Sequence, residues 1–180
     1  MGFFDYAKAV RKFRDQEDVL ETIRRMKQFD GFHLLRNSSL RTGARAGEML
    51  PRANSQYIAW MTVCGGGYLF DTTLLSVEEE DPDLGLSFDT LADYNTPEAR
   101  RELALPEGYF VIAVRNYGDP ICLSAEDDRV YLWNMEEGEF ETIWDCFYDF
   151  LGDETDTAIE IIGNGDMEPV PIKFRDEEEG

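Results

Sequence analysis

Beginning at Tyr109, three runs of strand length follow in close succession: YFVIAVRN, PICLSAE and RVYLWNM. Each is rich in β-branched and aromatic residues, and only Tyr117-Gly118-Asp119 and Asp127-Asp128 separate them, so the stretch reads as an antiparallel meander. Side chains alternate along a strand, which sends Val130 and Leu132 to one face and Tyr131 and Trp133 to the other. Beyond the third run Ile143, Phe147, Phe150 and Leu151 recur at helical spacing. They predict a helix covering one face of the sheet, with Thr142 placed to cap it and Gly152 to end it. The final apolar run, AIEIIG, predicts another strand, and RDEEEG a solvated tail.

Upstream, Val19, Leu20, Ile23 and Met26 form an apolar stripe that predicts helix within residues 3–29, with Asp18 as an N-cap. The stretch HLLRNSSLRTGARAGEM is polar and rich in Ser, Gly and Arg, so it is assigned no regular structure. PRANSQYIAWMTVCGGG fits a helical face through Tyr57, Trp60, Met61 and Cys64, and it also fits strand alternation. Pro51 as a first helical residue and Gly65 beyond the last favour the helix. GYLFDTTLL predicts a short strand and VEEEDPDLG an acidic loop. Residues 89–103 are helical in part, with a fresh start at Thr96-Pro97.

At 180 residues the chain fits one domain spanning 1–180, with residues 1–45 as a helical N-terminal extension and 175–180 as an acidic tail. Its net charge is −21, and the imbalance is uneven: residues 1–56 hold 11 Lys/Arg against 7 Asp/Glu, residues 57–180 hold 6 against 31. Nucleic acid and anionic membrane are therefore poor partners, and a basic protein is a good one. Cys64, Cys122 and Cys146 sit among apolar neighbours without a paired spacing, which fits free thiols in a reducing cytoplasm. No run approaches the ~20 apolar residues of a membrane span, and the first residues lack a signal-peptide core. A cytoplasmic protein is expected.

Catalytic readings fare poorly. Nucleophilic chemistry with a histidine base would depend on His33, the sole histidine, lying between Phe32 and Leu34. The cysteines and His33 lack zinc spacing, the acidic loops lack calcium-loop register, and no cofactor is expected. Gly65-Gly66-Gly67 is not followed by Gly-Lys-Ser/Thr, so a tight helix-to-strand turn is its expected use. Tyr131, Trp133, Trp144, Phe147, Tyr148 and Phe150 could line a cleft, although packing between sheet and helix accounts for them more simply. Arg36, Arg41, Arg45 and Arg52 are read as offsetting internal repulsion rather than as an anion site.

The order of elements carries more information than any single residue. Leu50-Pro51 leading to Tyr57, Trp60 and Gly65-Gly66, then Gly118-Asp119-Pro120-Ile121, Val130-Tyr131-Leu132-Trp133 and Phe147-Tyr148-Asp149-Phe150-Leu151, resembles the SUKH superfamily over roughly residues 45–151. That group includes bacterial toxin-immunity proteins and the yeast cell-wall synthesis regulators. The resemblance implies an α+β fold, a mainly antiparallel sheet with helices packed against it, and a function of binding rather than catalysis. Many bacterial members look like immunity proteins that hold a cognate toxin, often a nuclease, inactive in the producing cell.

A nuclease attracts phosphate through a basic cleft, so an acidic inhibitor is steered to it and covers it with carboxylates. The expected partner surface consists of Glu126, Asp127, Asp128, Glu136, Glu137, Glu139 and Glu141. Two other readings stand beside it: a regulatory module of the same fold without a toxin, and a small metal-dependent hydrolase.

Overall fold

The computed structural model describes residues 24–26, 32–34, 40–77, 80–81, 86–87 and 89–164. In chain order these form β1 (Phe32–Leu34), α1 (Leu40–Met49), α2 (Ser55–Val63), β2 (Gly67–Leu69), β3 (Thr72–Leu74), β4 (Glu80–Asp81) and β5 (Leu86–Ser87). There follow α3 (Leu91–Tyr94), α4 (Pro97–Glu102), β6 (Tyr109–Arg115), β7 (Pro120–Ser124), β8 (Val130–Asn134), β9 (Glu139–Trp144) and α5 (Phe147–Asn164). Residues 24–26 are helical; the rest of the helix expected over 3–29 lies outside the described residues, as does the tail at 175–180.

The meander expected from Tyr109 onward is present, and it extends into a seven-stranded antiparallel sheet of order β1-β2-β3-β6-β7-β8-β9. The α+β class with a mainly antiparallel sheet follows directly. Among the described residues, strands β4 and β5 pair only with each other. Cross-strand rows assign the two faces. Phe110, Leu123, Val130 and Trp144 stand side by side, and the next row holds Val111, Cys122, Tyr131 and Ile143. The first row meets α5, where the Trp144 and Phe150 rings lie 5.1 Å apart. In the second, Tyr131, together with Trp133, packs on Phe140 with centroids at 5.1 and 5.0 Å. Tyr131 and Trp133 thus share the face opposite Val130 and Leu132, as alternation requires.

The segment carrying α3 and α4 covers that second face. The Trp133 indole donates to the Leu103 carbonyl at 3.0 Å, and the Arg100 guanidinium donates to the carbonyls of Tyr109 and, at 3.1 Å, Pro106. Asn95 fills a further gap. Strand β3 pairs with β6 only as far as Ala113, so Val111 has no strand on that side. The Asn95 carboxamide takes the strand's place, accepting from the Val111 N–H and donating to its carbonyl, both at 2.9 Å.

Helix α4 starts as expected, with Thr96 accepting from the Ala99 N–H and Pro97 in the first turn. Its end holds a strained residue. Leu105 N–H bonds to the Arg100 carbonyl and Ala104 N–H to that of Arg101, the paired closure in which glycine is favoured at the left-handed position. Here that position is Ala104, at φ 48°. Replacing Ala104 with glycine is expected to raise unfolding free energy by about 1 kcal/mol, read from urea denaturation of both proteins.

Several expectations are corrected. The stretch left without regular structure contains the end of β1 and all of α1; Gly47 permits close packing, since a Cβ there would stand 3.1 Å from Ile58 Cδ1. Helix α2 begins at Ser55 with Asn54 as N-cap, not at Pro51, because the Asn54 side chain accepts from the Tyr57 N–H at 3.0 Å. GYLFDTTLL is a hairpin of β2 and β3 rather than one strand. Residues 139–144 form β9, so Thr142 lies in a strand and the covering helix starts at Phe147. Gly152 does not end that helix, and AIEIIG continues it instead of forming a strand. In the part read as an acidic loop, residues 80–81 belong to the β4–β5 ladder.

Gly65-Gly66-Gly67 does make the turn from α2 to β2. A Cβ on Gly66, at φ 134°, would meet Ser76 Cβ at 3.0 Å and the Leu74 carbonyl oxygen at 3.1 Å.

Candidate protein-binding surface

The seven candidate carboxylates fall on the outer half of the sheet but not in one place. Glu126, Asp127 and Asp128 occupy the β7–β8 turn, Glu136 and Glu137 the β8–β9 turn, and Glu139 and Glu141 lie on β9, the outermost strand of the sheet. In a meander, successive turns lie at opposite ends. Five residues of β8 therefore hold the two turns about 15 Å apart. That exceeds the roughly 8 Å over which exposed charges act on one another at physiological salt. The structure presents two acidic regions rather than one.

The two turns differ in what their carboxylates already hold. In the β7–β8 turn, the Asp127 carboxylate accepts from the Tyr131 hydroxyl at 2.9 Å and from the Arg129 N–H and Nε at 3.0 Å each. Partial burial pushes the Asp127 carboxyl up, but the hydrogen bonds and charge from Tyr131 and Arg129 outweigh it and hold it below the ordinary range. Burial, reinforced by Asp127, pushes the Tyr131 hydroxyl up to about 12. Asp128 is paired with Arg52, and Asn54 Nδ2 donates to its carbonyl at 3.5 Å, which ties the start of α2 to this turn. Both aspartates thus build the turn. Glu126 is exposed, its backbone N–H anchored on Ser124 Oγ at 3.0 Å.

At the other end the carboxylates are free of such duty. Asn134 Oδ1 accepts from the backbone N–H groups of Glu136 and Glu137, both at 3.0 Å, and Gly138 completes the turn at φ 68°. This fixes the main chain while both glutamate side chains stay exposed. Asp119, nearly buried, accepts from the Met135 N–H at 3.1 Å and so binds this turn to the neighbouring β6–β7 turn. Glu139 and Glu141 are exposed along β9. Among the described residues, Glu136, Glu137, Glu139 and Glu141 form no ion pair.

Sequence reasoning missed the internal partners. The Asp127-to-Arg129 contact is local and legible as an aspartate two residues ahead of an arginine; the Arg52-to-Asp128 contact spans 76 positions and has no local signal. The aromatic cluster divides across the sheet. Trp144, Phe147 and Phe150 pack toward α2 and α5, and Tyr131 and Trp133 pack toward α4 with Tyr109 and Phe140, so these residues serve core packing. Cys64 and Cys122 are buried and Cys146 is half-buried, and all three are thiols rather than disulfide halves. Among the described residues, no group of three or more His, Cys, Asp or Glu is placed to hold a metal ion, and no helix is long and apolar enough to cross a membrane.

Helices on both faces of an antiparallel sheet, with its turns closed by side-chain acceptors, define an α+β domain whose conspicuous exposed chemistry is carboxylate. The family model of the SMI1/KNR4 family (SUKH-1) matches residues 52–153, from the approach to α2 into the second turn of α5, and the chain belongs to that family. This membership supports a general role in protein interaction. No curated protein matches the chain.

Proposed function

We propose that this chain is a non-catalytic, cytoplasmic immunity protein that binds a cognate bacterial toxin domain with a basic working surface, such as a nuclease, and keeps it inactive. The observation that carries this reading is the set of exposed glutamates, in no ion pair among the described residues, on main chain held by Asn134, Asp119 and the sheet. Carboxylates presented in this way occupy the place of phosphates in a basic cleft and accelerate encounter with it. Glu136, Glu137, Glu139 and Glu141, with Glu126 at the far turn, are the proposed contacts. Asp127 and Asp128 contribute field rather than contact, since their carboxylates are already engaged.

Co-purification with the product of the adjacent gene tests the reading. The expected complex associates at least about tenfold faster at low salt than at high salt, because steering by exposed charge is screened. An association rate unchanged by salt overturns the electrostatic basis. A neighbouring gene that encodes no secreted protein with a variable C-terminal domain favours a regulatory module of the same fold.

A further inference from the structure

Among the described residues, strand β9 is the last in the sheet and pairs only with β8. Among the described residues, no backbone group of residues 139–144 bonds to anything beyond β8, so half of its N–H and C=O groups face outward. One side chain on this edge is out of place for a solvent boundary. Ile143 is 50% exposed, and with Tyr117 it makes up the exposed large apolar side chains of the described residues. Glu139 and Glu141 precede it along the strand.

An open edge with these side chains discriminates among possible strands. A second copy of this chain, paired antiparallel about a two-fold axis centred on Phe140, would set Glu139 against Glu141 of the copy, and like charges facing across a ladder are unfavourable. The register shift between Leu132 and Trp133 leaves Glu141 as the extra residue of a bulge, which twists the edge and limits how long an added strand can run. A short basic strand meets none of these obstacles. Its main chain satisfies the open groups, its cations meet the glutamates, and an apolar residue covers Ile143.

We propose that the β9 edge receives an extended, lysine- or arginine-bearing segment of the partner protein as an added strand. This rests on the reading of the chain as a binder of a basic protein, and it names where and how that partner docks.

The test uses the full chain and a short peptide of alternating lysine and valine, with amide hydrogen exchange as the readout. Two further peptides carry N-methyl groups on every second amide, one in each phase. The expected result is slowed exchange of the outward-facing β9 amides with the plain peptide. One methylated phase loses at least about tenfold in affinity and the other does not, because a ladder uses alternate amides and only one phase removes donors from it. The double variant Glu139→Lys, Glu141→Lys loses the peptide's effect while keeping its stability.

Equal binding by both methylated phases, or protection elsewhere on the sheet, overturns the proposal. So do outward-facing β9 amides that are already slow in the free protein, which means its own chain covers the edge, or that slow with rising concentration, which means a second copy does. The peptide result stands apart from the co-purification: a salt-sensitive complex with the neighbouring gene product leaves the binding reading intact even when the edge proves idle.

Discussion

Replacing Arg115 with methionine is expected to cost about 3–5 kcal/mol of stability, because it strands a buried carboxylate. Glu154 on α5 is 3% exposed, and its Oε2 lies 2.5 Å from Arg115 Nη1 on β6. Thr72 on β3, directly across from Arg115 in the ladder, donates its hydroxyl to the same Oε2 at 2.6 Å and accepts from Arg115 Nη1 at 2.8 Å. Asp71 stands 3.6 Å from the guanidinium. One helix and two strands are thereby joined through a single carboxylate oxygen. The double variant Arg115→Met, Glu154→Leu removes both charges and is expected to recover to within about 1–2 kcal/mol of the parent. A double variant as unstable as the single one would show that lost packing, not the stranded charge, causes the defect.

The same cluster sets a pH dependence. Burial pushes the Glu154 carboxyl above its ordinary value of 4.5, and the opposing pull of Arg115 and Thr72 does not cancel it. The folded protein therefore keeps this proton at pH values where the unfolded chain has released it. Through that window the native state binds more protons, so this group's contribution to stability falls as pH rises from the ordinary glutamate range through the folded pKa. Removing Arg115 takes away the charge that lowers the folded pKa and extends the window upward. Urea denaturation of the Arg115→Met variant at mildly acidic and neutral pH should show a steeper loss toward neutrality than the parent.

What the sequence made legible follows from how local each signal is. The meander was readable because β6, β7 and β8 are nearly all apolar and short turns divide them. Thr96-Pro97 marked the start of α4 because a cap and a first-turn proline act within a few residues. Strand β9 was submerged because Ile143 falls in helical spacing with Phe147, Phe150 and Leu151. Its exposed Glu139, Glu141 and Ile143 alternate with the less exposed Phe140, Thr142 and Trp144, but the bulge at Glu141 breaks the pairing, so that Ile143 lies beside Tyr131 on the face that Phe140 shares with Trp133. The hairpin of β2 and β3 was hidden by a turn lacking the usual residues: Phe70 takes φ 62° where glycine or asparagine is favoured.

Among the candidate surface residues, sequence marked acidity without revealing which acids were already spent. Asp127 and Asp128 look like Glu136 and Glu137 in composition, and only the fold places Arg52, Arg129 and Tyr131 beside them. Glu154 is the converse case. It is an ordinary member of an acid-rich segment until α5 is laid across β3 and β6.

Phe147→Ala is the second large effect, expected at about 3–5 kcal/mol, since it empties a wholly buried aromatic site. Phe147 opens α5, and its ring centroid lies 5.3 Å from that of Tyr57, 6.3 Å from Trp60 and 5.8 Å from Phe150. Tyr57 and Trp60 belong to α2, a helix buried along residues 57–62, so they have no solvent-facing room into which to collapse. The cavity should therefore persist, and Phe147→Leu, which keeps most of the volume, should cost distinctly less. Calorimetric or urea unfolding of the three proteins gives the ranking. The glutamates of the β8–β9 turn and of β9 do not touch this site. In the fraction of Phe147→Ala that is folded, the salt dependence of association with a basic partner should match that of the parent. A changed salt slope would mean that α5 positions the acidic surface, whereas an unchanged slope with lowered stability separates the core that holds the sheet from the edge that meets the partner.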